Sequence, residues 1–203
     1  YKKTKTPAVK YISLFFVVKF FGLAGLTLGF AVPSNPLLYV YLINIGTSLL
    51  GFSLIPLALF GCYLWFPNLK RTAVWVLTAG AVVTLIISLS TVPIPKEIGT
   101  GATKDIIGWI SFLYMFFSHL IVMAGIGLAI FRSGLKLTDK KLVLRSVFLG
   151  LGMAISATFG GLIPAFVAPS VLAALGMMSN LGHIMMGIGA VIKPSKVKTN
   201  FAK

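Results

Sequence analysis

Six long apolar stretches alternate with short polar ones along the chain. They cover about residues 9–32, 37–66, 72–92, 106–131, 142–163 and 170–192. Each is long enough to cross the hydrocarbon core of a bilayer, which takes about 20 residues as a helix. The punctuation between them is of the kind that ends helices: Pro33 to Pro36, Pro67 to Arg71, Pro93 to Asp105, Arg132 to Arg145, and Pro164 to Pro169. The pattern predicts an all-α fold, a polytopic transmembrane helix bundle of about six spans, with residues 1–203 as a single transmembrane domain. The second stretch is the longest, and Pro56 inside it predicts a tilt or a kink. Thr138 and Asp139 are placed to cap the start of the fifth helix.

Composition narrows this further. Of 203 residues, 58% are hydrophobic and only 10% are charged. Ordinary soluble domains carry about 25% charged residues, so most of this surface must face lipid. Short loops and two tails leave no room for a separate soluble catalytic domain. The first apolar stretch follows Lys2, Lys3, Lys5 and Lys10, as a signal peptide would. It exceeds the apolar core of a signal, which runs about 7–15 residues, so it reads as a retained helix.

The 18 basic residues against three acidic ones are a statement about topology rather than nucleic acid. Fifteen of the 18 lie in the N-terminal tail, the 67–71 turn, the 132–145 connector and the C-terminal tail. The intervening turns hold only Lys96 and Lys104, offset by Glu97 and Asp105. This alternation requires an even number of spans. It predicts both termini on the positive-inside face, be that cytoplasm, matrix or stroma. The same residues fit anionic lipid headgroups, and no nucleic-acid-binding motif accompanies them.

Small residues recur at helical spacing. Gly25 and Gly29 mark a face of the first helix, and Gly150, Ala154, Thr158 and Gly161 a face of the fifth. Such faces allow close helix packing. The single cysteine, Cys62, lies within an apolar run and reads as a small interior residue. No phosphate-binding loop, zinc spacing, nucleophile elbow or HExxH pattern is present, so no catalytic residue is assigned.

Three ionisable side chains lie well inside spans: Lys19, His119 and His183. No carboxylate does, which argues against a carboxylate-based pump. Lys19 has two readings: a contact for an anionic ligand, or a snorkelling lysine whose amine reaches the inner interface. His119 lies 13 residues before Arg132, and His183 lies 10 before Lys193. The two rings therefore stand near mid-membrane at depths about 4.5 Å apart. That placement suits two axial ligands of one haem b, provided the fourth and sixth helices face each other. Ser111, Met115, His119, Met123 and Gly127 share one stripe; Gly176, Ser179, His183, Gly187 and Ala190 share another. Small residues beside a ring leave space for a flat macrocycle, and they are equally ordinary packing material. Alternative cofactors for His119 and His183 are a chlorophyll-type tetrapyrrole or copper, the latter with nearby methionines as soft ligands. The remaining alternative is none, with both rings as packing residues. Ser118 and Asn180 are candidate partners for a ring nitrogen.

Three functional readings remain open. The first is an integral subunit of a larger redox complex, non-catalytic or electron-carrying rather than a self-contained enzyme, with other membrane subunits and a quinone as partners. The second is a cofactor-free accessory subunit. The third is a small transporter or channel, for which inverted repeats or broken helices are the expected signature.

Overall fold

The computed structural model describes residues 6–31, 35–90, 113–162 and 169–193. They form an all-α bundle of six membrane-spanning helices, so the chain is an integral membrane protein. The helices are α1 (Pro7–Ala31), α2 (Pro36–Leu64), α3 (Lys70–Ser90), α4 (Leu113–Gly134), α5 (Lys140–Leu162) and α6 (Pro169–Val191). A single 3-10 turn, Pro67–Leu69, leads into α3. The expected 93–105 loop, the start of the fourth span before residue 113 and the 164–168 turn lie outside the described residues.

Helix ends follow local chemistry. The Asn35 side chain accepts the amide hydrogen of Leu38 at 3.1 Å, and Pro36, with a fixed φ that suits a first turn, opens α2. Asp139 caps α5 as expected, its carboxylate accepting from the Lys141 amide at 2.8 Å. α2 runs unbroken through Pro56 for 29 residues. It ends at Leu64, two residues before the expected limit, where Trp65 departs from helical geometry and donates back to Gly61. α3 starts two residues before the expected limit, because the 3-10 turn hands Lys70 directly to it.

Glycine decides how closely the helices approach. A methyl on Gly46 would stand 2.7 Å from the Leu26 backbone nitrogen, so α1 and α2 touch nearly backbone to backbone. The pairs Gly22 with Leu50 and Gly29 with Ile43 run in opposite order, so the two helices are antiparallel. The pairs Gly51 with Met115 and Gly61 with Ile126 advance together, which makes α2 and α4 parallel neighbours. α5 meets α4 through Gly127 and Gly150, and α6 through Gly152 and Gly182. Phe15, Leu54, Leu57, Met123 and Met153, drawn from α1, α2, α4 and α5, fill the core.

Candidate functional site

α4 is not a plain α-helix. From His119 to Ala124 it widens into a π-helical segment. Such turns are closed by i→i+5 bonds and are frequent at functional sites. The widening starts where two side chains draw on one carbonyl. Ser118 Oγ donates to Met115 O at 3.1 Å, and His119 Nδ1 lies 2.8 Å from the same oxygen. A wider turn reduces the drift of a four-residue spacing around the axis. Ser111 lies outside the described residues, and the rest of the expected stripe holds: His119, Met123 and Gly127 are all buried, and Met115 faces Gly51.

The stripe expected on α6 divides instead. Ser179 is buried against α5, beside Gly160, while Gly187 and Ala190 are exposed and His183 is half-buried between the two faces. The cause lies in α5, which has two small faces and not one. Gly150 and Ala154 serve α4, and Gly152, Ser156 and Gly160 serve α6. These faces are two residues out of register, about 160° apart around the axis, so among the described residues α5 stands between α4 and α6, and the fourth and sixth helices do not face each other as a shared cofactor would need.

His183 reaches from α6 back onto α5. Its Nδ1 lies 2.8 Å from Ser179 O, and its Nε2 is 3.1 Å from Ser156 Oγ. The two histidines thus share one device, an Nδ1–H given to the carbonyl four residues earlier. Neither Ser118 nor Asn180 partners a ring; backbone carbonyls do. Ser156, the side-chain partner of His183, has no distinguishing signal in sequence beyond its place among small residues.

Lys19 completes the cluster, and its amine does not snorkel. It stands 12 residues from each end of α1, at the helix midpoint. It is only 5% exposed. Its Nζ donates to Met123 Sδ at 3.5 Å and lies 5.7 Å from the Phe15 ring centroid. His119 and His183 both stand within electrostatic reach of this amine. Depths agree, since Lys10 and Lys19 are nine residues apart, as are Met123 and Arg132. Lys19 thus joins α1 to α4 through Met123, Ser156 joins α5 to α6 through His183, and the two links stand at similar depth in the bundle. The cluster is rich in donors and has no carboxylate: Asp139, at the head of α5, is the only acidic residue among the described residues. No group of three or more His, Cys, Asp or Glu side chains suited to a metal occurs among them either.

A second polar feature faces outward. Asn180 stands 11 residues from each end of α6 and is exposed. Among the described residues its amide has no hydrogen-bond partner. Gly176 and Gly187 share its side of the helix, and a methyl on either would meet nothing within 4 Å.

No family model, no curated protein and no solved structure matches this chain. Its function is therefore read from the chemistry of these two features.

Proposed function

We propose that this chain is an accessory subunit of a membrane complex, docking another transmembrane subunit through the outer face of α6. Asn180 carries the reading. A primary amide at the midpoint of a spanning helix, with no partner among the described residues, faces hydrocarbon. Each unsatisfied polar group there costs several kcal/mol, roughly. A neighbouring helix bearing a donor or acceptor removes that cost. The open glycines at positions 176 and 187 allow such a helix to come close. Glycine in a helix costs about 1 kcal/mol relative to alanine, and no described residue packs against these two to repay it. Replacing Asn180 with leucine removes the amide and leaves the bundle's own contacts intact, so the variant separates docking from folding. In this reading both termini lie on the inner, positively charged face.

A redox role is the second reading, with His119 and His183 as axial ligands of haem b or a related tetrapyrrole. The shared Nδ1–carbonyl geometry favours it, because it orients each ring and leaves Nε2 as the ligand atom. Two features weigh against it. The Nε2 of His183 is already met by Ser156, and α5 stands between α4 and α6 among the described residues, whereas a shared metal needs both Nε2 atoms about 4 Å apart across it. Copper at this cluster fares worse, since the Lys19 amine occupies the face of the Met123 sulfur. A quinone partner belongs with the redox reading.

A further inference from the structure

Lys19 has an unmet requirement. An ammonium carries three N–H donors and no acceptor. The structure gives one of them a thioether, which is a weak acceptor, and sets a phenyl ring nearby. A buried charge costs several kcal/mol unless it is paired, in round numbers. The helix midpoint lies about 18 Å from either end of α1, beyond the reach of a lysine stem to water. No described span supplies a carboxylate, and the neighbouring titratable groups, His119 and His183, can add only positive charge. The backbone carbonyls beside the cluster are committed: Met115 O to Ser118 and His119, and Ser179 O to His183. Among the described residues, what the site lacks is negative charge.

We propose that Lys19 anchors a mid-membrane binding site for an anion, flanked by Met123 and, one turn earlier on α4, His119. The ligand presents a negatively charged acceptor to the free N–H groups of the amine. A lipid-soluble carboxylate, such as a fatty acid, and a small inorganic anion share that chemistry. Phe15 and Met123 supply an apolar wall that suits either a chain or a poorly hydrated ion. This inference rests on α1 and α4 and is independent of docking at α6.

The test is equilibrium binding to the purified protein in nanodiscs of zwitterionic lipid. Radiolabelled dodecanoate and chloride are the probes, with dodecanol and gluconate as controls. One dodecanoate bound per chain, not displaced by dodecanol, identifies a lipid-soluble acid. Saturable chloride binding, unaffected by gluconate, identifies an inorganic anion. Lys19→Met should lower the affinity at least about tenfold, while Lys19→Arg should retain most of it. The methionine variant without ligand should be no less stable than the wild type, since it removes an unpaired charge beside Met123 and Phe15. Absence of saturable binding of both probes to the wild type overturns the proposal without reference to any variant. Equal binding by wild type and Lys19→Met overturns it as well.

Discussion

The hydroxyl of Ser156 lies 3.1 Å from Nε2 of His183, joining α5 to α6 at the level of the buried Lys19 amine. As a packing hydrogen bond inside a membrane it is worth about 0.6 kcal/mol, with about 1.7 as an upper figure. Ser156→Ala and His183→Ala should each destabilise the bundle on that scale, measured by unfolding in mixed micelles. The double variant should be little worse than His183→Ala alone. Under the redox reading the readout differs: His119→Ala and His183→Ala should each remove most of a reduced-minus-oxidised absorption difference. Ligands that act as a unit give that non-additive result. No such difference in the wild-type protein from its native membrane removes the redox reading.

Glycines on α6 should divide by the face they occupy. A methyl on Gly182 would stand 2.7 Å from Gly152 O, between two backbones that cannot yield. Gly182→Ala should cost about 1–3 kcal/mol, the usual range for overpacking. A methyl on Gly187 meets nothing, so Gly187→Ala should be neutral or stabilise the isolated bundle by up to about 1 kcal/mol. Thermal unfolding of the two variants in detergent checks the contrast, and equal losses would mean that the faces are misassigned.

Tyr114 ties α4 to α3. Its hydroxyl donates to Leu77 O at 2.8 Å, and its ring lies where a methyl on Gly80 would be. Tyr114→Phe should cost about 0.5–1.5 kcal/mol for the lost bond. Gly80→Ala should cost more, because the ring must move as a whole. The order of the two losses, read by chemical unfolding, tests the placement of the ring.

Much of this arrangement is legible in the amino-acid sequence alone. Span number and limits follow from apolar runs, since each helix must satisfy its backbone internally over a fixed thickness. Asp139 and Pro36 announce helix starts by local chemistry that acts over three or four residues. Facing relations are harder to read. The two small faces of α5 differ by so little register that Gly150 and Gly152 look alike in sequence yet serve different neighbours. The π-helical segment has no composition signal in sequence; it begins beside the Met115 carbonyl that Ser118 and His119 share. Lys19 is ambiguous in sequence for a related reason. Only the position of Met123 on another helix shows that the amine points inward rather than towards the interface.

Orientation has its own test. Cysteines introduced one at a time at Asn35, Gly101 and Ala168, in a background with Cys62 replaced by alanine, should react with an impermeant thiol reagent added outside intact cells. Cysteines at Lys70, Lys136 and Lys196 should react only after permeabilisation. Labelling of both sets from the same side would refute the assignment of both termini to the inner face.

The docking role of α6 is tested most directly by the mass of the native assembly. Wild-type protein and the Asn180→Leu variant would be extracted from their own membrane in a mild detergent and measured by native mass spectrometry. The account predicts a wild-type complex containing at least one other transmembrane polypeptide, lost or strongly reduced in Asn180→Leu while the variant's helix content and unfolding midpoint stay unchanged. A wild-type protein that leaves the membrane as a single chain or as copies of itself alone, or a complex of unchanged mass in the leucine variant, would contradict it.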